Sequence, residues 1–311
     1  MNFLQAHEEF KRRCYAANLS PESVKQYDKV LKRFIKFCIQ DKLGSGEEDI
    51  DVSKITPSVI RYYLAVRSKE VSPVTVRIHY MGLHTFFSFL FRDGLIVTNP
   101  MEKVEKPKKV VREIPAYSKE DINKLLNTFD KDTFVGYRNY TLTCLLFGTG
   151  MRRSEAANLR LGDIHFDLDV IKVIGKGDKF RNVPMGISLK SILLKYLKIR
   201  KKHIAAESIS SSDYVFINSR TGQKLQSNAI SDIYRMIAAD QGINGVRVSP
   251  HTFRHTYAKF FLLNGGDVFS LQKILGHADI AVTKRYVTLN DKDIRTQNEK
   301  FNPLDNRKWD I

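Results

Sequence analysis

With 311 residues, 42% hydrophobic and 27% charged, the chain is composed like an ordinary globular protein and can bury one large core or two ordinary ones, which excludes long-range disorder. Its 51 Lys and Arg against 34 Asp and Glu leave a formal net charge of +17, and such an excess draws in polyanions by counterion release, DNA or RNA being the commonest. Acidic residues interrupt MNFLQAHEEFKRRC where a signal peptide needs an apolar core, and stretches such as TLTCLLFG (141–148) fall far short of the roughly 20 residues that span a bilayer; three scattered cysteines, Cys14, Cys38 and Cys144, suit reduced thiols, so the expected location is the cytoplasm or nucleoid, with no membrane partner.

Residues 1–100 read as a helical domain with repeated start signals. Ser20-Pro21, Thr56-Pro57 and Ser72-Pro73 each pair a hydroxyl N-cap with proline at the first helical position. LSPESVKQYDKVLKRF loosely echoes VSPVTVRIHYMGLHTF, a weak repeat of two similar helix starts. After Pro21, the residues Val24, Tyr27, Leu31, Phe34 and Cys38 share one side at helical spacing. Lys25, Lys29, Lys32 and Lys36 line nearly the opposite side without a glutamate among them, and there DNA-backbone contact competes with plain solvation. The next long helix, 73–92, is apolar on most faces and is expected at the centre of the bundle, with Arg77 as a further DNA-contacting cation.

Asn99-Pro100 stops the bundle. Residues 101–115, with prolines, many charges and no periodicity, predict an extended linker. The second domain, 116–311, opens with a helix capped by Ser118, with Asp121 in a capping-box position, and continues with a long apolar helix near 137–148. IKVI, GKGDK and FRNVPM then alternate around a glycine-containing turn and predict a β-hairpin, after which helices return from about 187. The expected fold is mainly α with a small antiparallel sheet, in two domains.

One stretch, SPHTFRHTYAKF (249–260), sets two histidines and an arginine on the first turns of a helix, where the macrodipole favours acidic residues instead. Ser249 and Pro250 mark its start; Phe253, Tyr257, Phe260 and Phe261 form the expected inward stripe. His251 and Arg254, three apart, lie side by side on another face. A helix N-terminus so flanked suits a tetrahedral oxyanion such as phosphate. Downstream, Asn264-Gly265-Gly266 ends that helix, DVFSLQKILG forms another ending at Gly276, and His277 follows, with Tyr286 nine residues on.

The set TGMRRSE (149–155), GKGDKFRNVP (175–184), HTFRH (251–255), LGH (275–277) and Tyr286 resembles the tyrosine recombinases, the phage-integrase and Xer-type enzymes, over the whole chain. Each motif alone is weak; five in the family's order and spacing are specific. The resemblance implies a core-binding domain followed by a catalytic domain, closing as a C-clamp around double-stranded DNA, and a site-specific recombinase that cuts and rejoins DNA through a 3′-phosphotyrosyl link. It implies Tyr286 as nucleophile, Arg152 and Arg254 clamping non-bridging phosphate oxygens, and Lys176 protonating the leaving 5′ oxygen. His251 and His277 would bond the phosphate, His251 being the expected proton acceptor, and Glu155 would support the arginines. The choice of Arg152 over Arg153 rests on the motif match, and Lys179 is an alternative to Lys176. His255 has no direct role in the pattern and is expected to be structural.

These residue types suit the chemistry. Charge gathering on the equatorial oxygens of a phosphodiester transition state calls for fixed guanidinium donors. Nearby cations help a phenol act as nucleophile at neutral pH, and a leaving alkoxide needs a proton donor. No metal or other cofactor is required. The resemblance further implies exchange within a DNA-bound homo-tetramer, monomeric or weakly associated when free, with an accessory protein as a further candidate partner. The tail 287–311, with Phe301, Pro303, Leu304 and Trp309, would pack on a neighbouring subunit, the alternative being its own domain. The first bundle helix is under way by Phe10, leaving no room ahead of it for an arm-type DNA-binding domain and favouring a simple integrase or Xer-like system. Two other readings compete. A zinc hydrolase built on His251, His255 and His277 lacks the expected glutamate, Thr252 standing in its place. A DNA-binding regulator on the same fold would also be basic and DNA-specific, yet would be free to lose Tyr286 or Lys176.

Overall fold

The computed structural model describes residues 1–276, except 42–45, 47–49, 110–114, 176–179, 211, 241–245 and 247 and the side chains of 238–240, together with Arg295 and Asn298. Lys176, Lys179, His277, Tyr286 and all the tail residues named above therefore lie outside the described residues. The chain divides into two compact units, Met1–Arg112 and Glu113–Ile311. No helix among the described residues is long and apolar enough to cross a membrane.

The first unit contains α1 (Phe3–Ala16), α2 (Pro21–Gln40), α3 (Pro57–Glu70) and α4 (Pro73–Arg92). Ser20, Thr56 and Ser72 cap the last three, each accepting from the backbone N–H three residues on, with proline in the first turn. α4 runs through the centre. Its Phe86 and Phe87 are fully buried with Phe3, Phe10 and Phe34, and Phe86 stands edge-on to Phe10 at 5.5 Å. Gly82 lets α2 approach, since a Cβ there would lie 2.9 Å from Val30 Cγ1.

The lysine stripe of α2 is exposed, but Lys32 is paired with Asp28 at 3.0 Å, so the stripe is partly neutralised from its own helix. Nor is the expected linker extended throughout. Pro100–Lys103 forms a 3-10 turn, and Met101 and Val104 are buried in the first core. Tyr80 Oη donates to the Val104 carbonyl at 3.2 Å, and Arg77 donates to the Pro107 carbonyl. Arg77, expected to contact DNA, is half-buried and reaches backbone of the same unit.

The second unit contains α5 (Lys119–Asn127), α6 (Phe134–Thr149), α7 (Arg153–Asn158), β1 (Ile164–His165), β2 (Val170–Ile174), β3 (Phe180–Pro184), α8 (Ile187–Ala206), α9 (Ser227–Asp240), α10 (Pro250–Leu263) and α11 (Val268–Leu275). Ser118 and Asp121 form the expected capping box. The strands make one antiparallel sheet in the order β1-β2-β3, with Ile171 opposite Val183 and Ile174 opposite Phe180. Alternation sends Ile171, Val173 and Val183 into the core, and Arg181, two residues before Val183, shares that inward face. α10 crosses the middle of the unit, its Phe253 buried against Tyr117 and Tyr234 at 4.9 and 5.1 Å. Of the predicted inward stripe, Phe253 is fully buried, whereas Tyr257, Phe260 and Phe261 are only partly covered.

Candidate active site

The site grows from the turn between α6 and α7. α6 ends at Gly150 in the left-handed region, φ 61°, and a Cβ there would come within 2.5 Å of Tyr257 Cδ1 and 2.8 Å of Leu275 Cδ2, so glycine is required for both the turn and the packing. Met151 is buried, and Arg152 starts α7. The Glu155 carboxylate reaches back to the Arg152 N–H at 2.6 Å and takes Arg152 Nη1 at 2.8 Å. The other arginine of the pair, Arg153, donates to Ser231 Oγ on α9. Arg152 and Arg153 thus diverge, and only Arg152 joins Glu155.

Arg181 on β3 is the partner that sequence reasoning missed. Its guanidinium meets Glu155 in a two-pronged pair, both bonds 2.9 Å, and its Nε donates to the Ile274 carbonyl at 2.7 Å. The signal was present in the strand pattern: an arginine on the same inward face as a buried valine needs a carboxylate within reach. Burial by itself would raise the Glu155 pKa, but the hydrogen bonds from Arg181 and the Arg152 backbone, with the charges behind them, outweigh it and hold the carboxyl at about 2.

α10 supplies the rest. Ser249 caps it, accepting from the Thr252 N–H, and its first turn carries no acidic residue. Arg254 is 1% exposed and donates through Nη1 to the Gly150 carbonyl and through Nη2 to the Leu275 carbonyl, each at 2.8 Å. It therefore joins the α6–α7 turn to the end of α11. His251 is exposed at the surface, yet the atoms crowding its ring lower its pKa below 6.5, and the guanidiniums of Arg254, Arg152 and Arg153 lower it further. His255 is buried behind it, the two rings edge-on at 5.3 Å. Of the predicted site residues, Arg152, Glu155, His251 and Arg254 are brought together; Lys176, His277 and Tyr286 lie outside the described residues, and Lys25, Lys29, Lys32, Lys36 and Arg77 belong to the first unit.

An imidazole beside three guanidiniums at a helix start makes a cationic cluster of the kind that suits an oxyanion, on a domain with a small antiparallel sheet in a two-domain helical protein. Residues 116–293 match the model of the phage integrase family, and residues 2–110 that of the phage integrase SAM-like domain. The chain is 31% identical over 285 residues to a tyrosine recombinase XerD of Listeria monocytogenes, covering 92% of this chain and 94% of the relative. It is 33% identical over 291 residues to a tyrosine recombinase XerC of Oceanobacillus iheyensis, covering 93% and 92%. Its fold superposes with a TM-score of 0.73, at 19% identity, on the XerH site-specific recombinase bound to palindromic difH substrate, covering 94% of this chain and 84% of that one. The chain belongs to the phage integrase family of tyrosine recombinases.

Proposed function

We propose that the protein is a site-specific DNA recombinase that breaks and rejoins duplex DNA through a 3′-phosphotyrosyl intermediate. The observation that carries this reading is the convergence of Arg152, Arg254 and a neutral His251 at the α10 N-terminus, braced by the buried Glu155. The Tyr286 hydroxyl oxygen attacks the scissile phosphorus, the bond from phosphorus to the 5′ oxygen breaks, and the phenolic proton passes to His251. Lys176 gives a proton to the departing 5′ oxygen, so charge balances on both sides. Arg152 and Arg254, with His277, steady the non-bridging oxygens as negative charge collects there. Rejoining is the same step in reverse, with a 5′-hydroxyl attacking the phosphotyrosine, and needs no ATP because the bond energy is kept in that link.

Both units contact the duplex in this reading, and the exposed Lys25, Lys29 and Lys36 of α2 supply phosphate contacts for the first. Strand exchange takes place in a DNA-bound homo-tetramer joined through the tail 287–311, and the protein works at the nucleoid. The test uses nicked suicide duplexes from DNA flanking the protein's own gene, with wild type and Tyr286→Phe, resolved on a denaturing gel. A covalent adduct with wild type alone supports the recombinase. Specific binding by both proteins without an adduct from either would establish a DNA-binding regulator on this fold instead.

A further inference from the structure

We propose that Arg181 is a positioning residue of the strand-cutting reaction; this rests on the reading above, in which Lys176 and Tyr286 carry the chemistry. The Arg181 guanidinium is bound at three points, to both Glu155 oxygens and, through Nε, to the Ile274 carbonyl. A planar fork held in this way has one orientation and transmits it to the backbones it joins. Those backbones are informative. In sequence, β3 follows Lys176 by four residues; α7 carries Glu155 and is capped by Arg152; α11 is followed by His277 and then Tyr286.

The Ile274 carbonyl is among the acceptors that a helix leaves without an internal partner at its C-terminus, and so is that of Leu275. Arg181 takes the first and Arg254 the second, so two arginines from different elements cap consecutive carbonyls of α11. Gly276 closes the contact. It lies at φ 66°, and a Cβ there would stand 2.9 Å from Arg181 Cδ and 3.1 Å from Nε. Through this one side chain, the strand that follows Lys176 in sequence and the helix end that precedes His277 and Tyr286 are fixed against the Arg152–Glu155 pair. Lysine cannot replace it: a compact ammonium keeps the charge but lacks the fork.

The experiment compares full-length wild type, Arg181→Lys and Gly276→Ala on the same nicked duplexes, with the scissile 5′ oxygen either native or replaced by sulfur. A thiolate leaves without a proton, so sulfur removes the demand on Lys176 and keeps the demand on Tyr286. Arg181→Lys is expected to bind DNA within about threefold of wild type and to cleave the oxygen substrate about a hundredfold more slowly, as a displacement of about an ångström does. Its deficit on the sulfur substrate should be about tenfold smaller, because the leaving-group half of the misalignment is relieved. Gly276→Ala should show the same pattern with a smaller loss. Cleavage of the oxygen substrate by Arg181→Lys at the wild-type rate overturns the proposal, as does an equal loss on both substrates, which is how a merely structural arginine behaves. A wild type that forms no adduct on either substrate overturns the recombinase reading, and the proposal with it.

Discussion

Replacing Glu155 by glutamine removes one charge from a site that changes little in shape. The carboxylate, 4% exposed at its side chain, serves Arg152 and Arg181 together and is held at about 2 against 4.5 for an ordinary glutamate. At roughly 1.4 kcal/mol for each tenfold change, that difference contributes about 3 kcal/mol to folding at neutral pH. The figure lies within the range of about 3–5 kcal/mol for breaking a buried ion pair. A glutamine retains one acceptor oxygen but turns an N–H group toward an arginine, so little of the loss is recovered. Because the folded pKa is depressed, the contribution is fully present above about pH 4.5, falls to less than half of its full size by pH 3, and vanishes below about pH 2. Urea unfolding of the full-length protein, followed by hydrogen-exchange protection of α6, α7 and β3 so that the second unit is read by itself, measures the gap between wild type and Glu155→Gln at pH 7 and pH 3. A gap of the same size at both pH values would refute the reasoning, since the loss would then arise from shape and not from charge. A gap below about 1 kcal/mol at pH 7 would show that Glu155 does not hold the arginines.

Further outcomes follow from the same geometry. Partial desolvation of its ring and then the three neighbouring arginines lower the His251 pKa, so its neutral, proton-accepting form persists below pH 6.5; the acid limb of single-turnover cleavage should lie below 6.5 and disappear in His251→Gln, and a limb at or above 6.5 contradicts this. Alanine at Lys25, Lys29 or Lys36 should each reduce the slope of log affinity against log salt by about 0.9, while Lys32→Ala, whose lysine is already paired with Asp28, should change it less. Equal slopes for all four would remove the distinction. Gly150→Ala combines a positive φ with a Cβ inside contact distance of Tyr257 and Leu275 and should cost about 2 kcal/mol, read as a lowered melting temperature of the second unit. Ser118→Ala removes a capping box and should cost about 1 kcal/mol in the same assay.

Much of this fold is written locally. Hydroxyl caps followed by proline placed the starts of α2, α3 and α4 because a cap is a contact between residues three apart. Alternation around GKGDK placed the hairpin for the same reason. What depends on distant partners was less legible. β1 is two residues long and pairs only with Val170 and Ile171, too short to show a period. Met101 and Val104, three apart among prolines and charges, look like linker until the α3–α4 surface that covers them is known. The hydrogen bond from Arg77 to a carbonyl 30 residues on, in that same segment, has no local signature either. In the site, the resemblance implied Arg152, Glu155, His251 and Arg254, and these four lie together in the structure. Arg181, within GKGDKFRNVP, is not legible from sequence, since its meaning depends on Glu155, 26 residues earlier, and on Ile274, 93 residues later.

Tyr117 ties the segment ahead of α5 into the second unit. Its N–H donates to Thr256 Oγ1 at 2.9 Å, its hydroxyl accepts from the Ser249 N–H at 3.0 Å, and its ring lies against Phe253. All three partners belong to α10 or its cap. Mechanically, then, the segment ahead of α5 is moored to the helix that carries His251 and Arg254, and the two move as one piece.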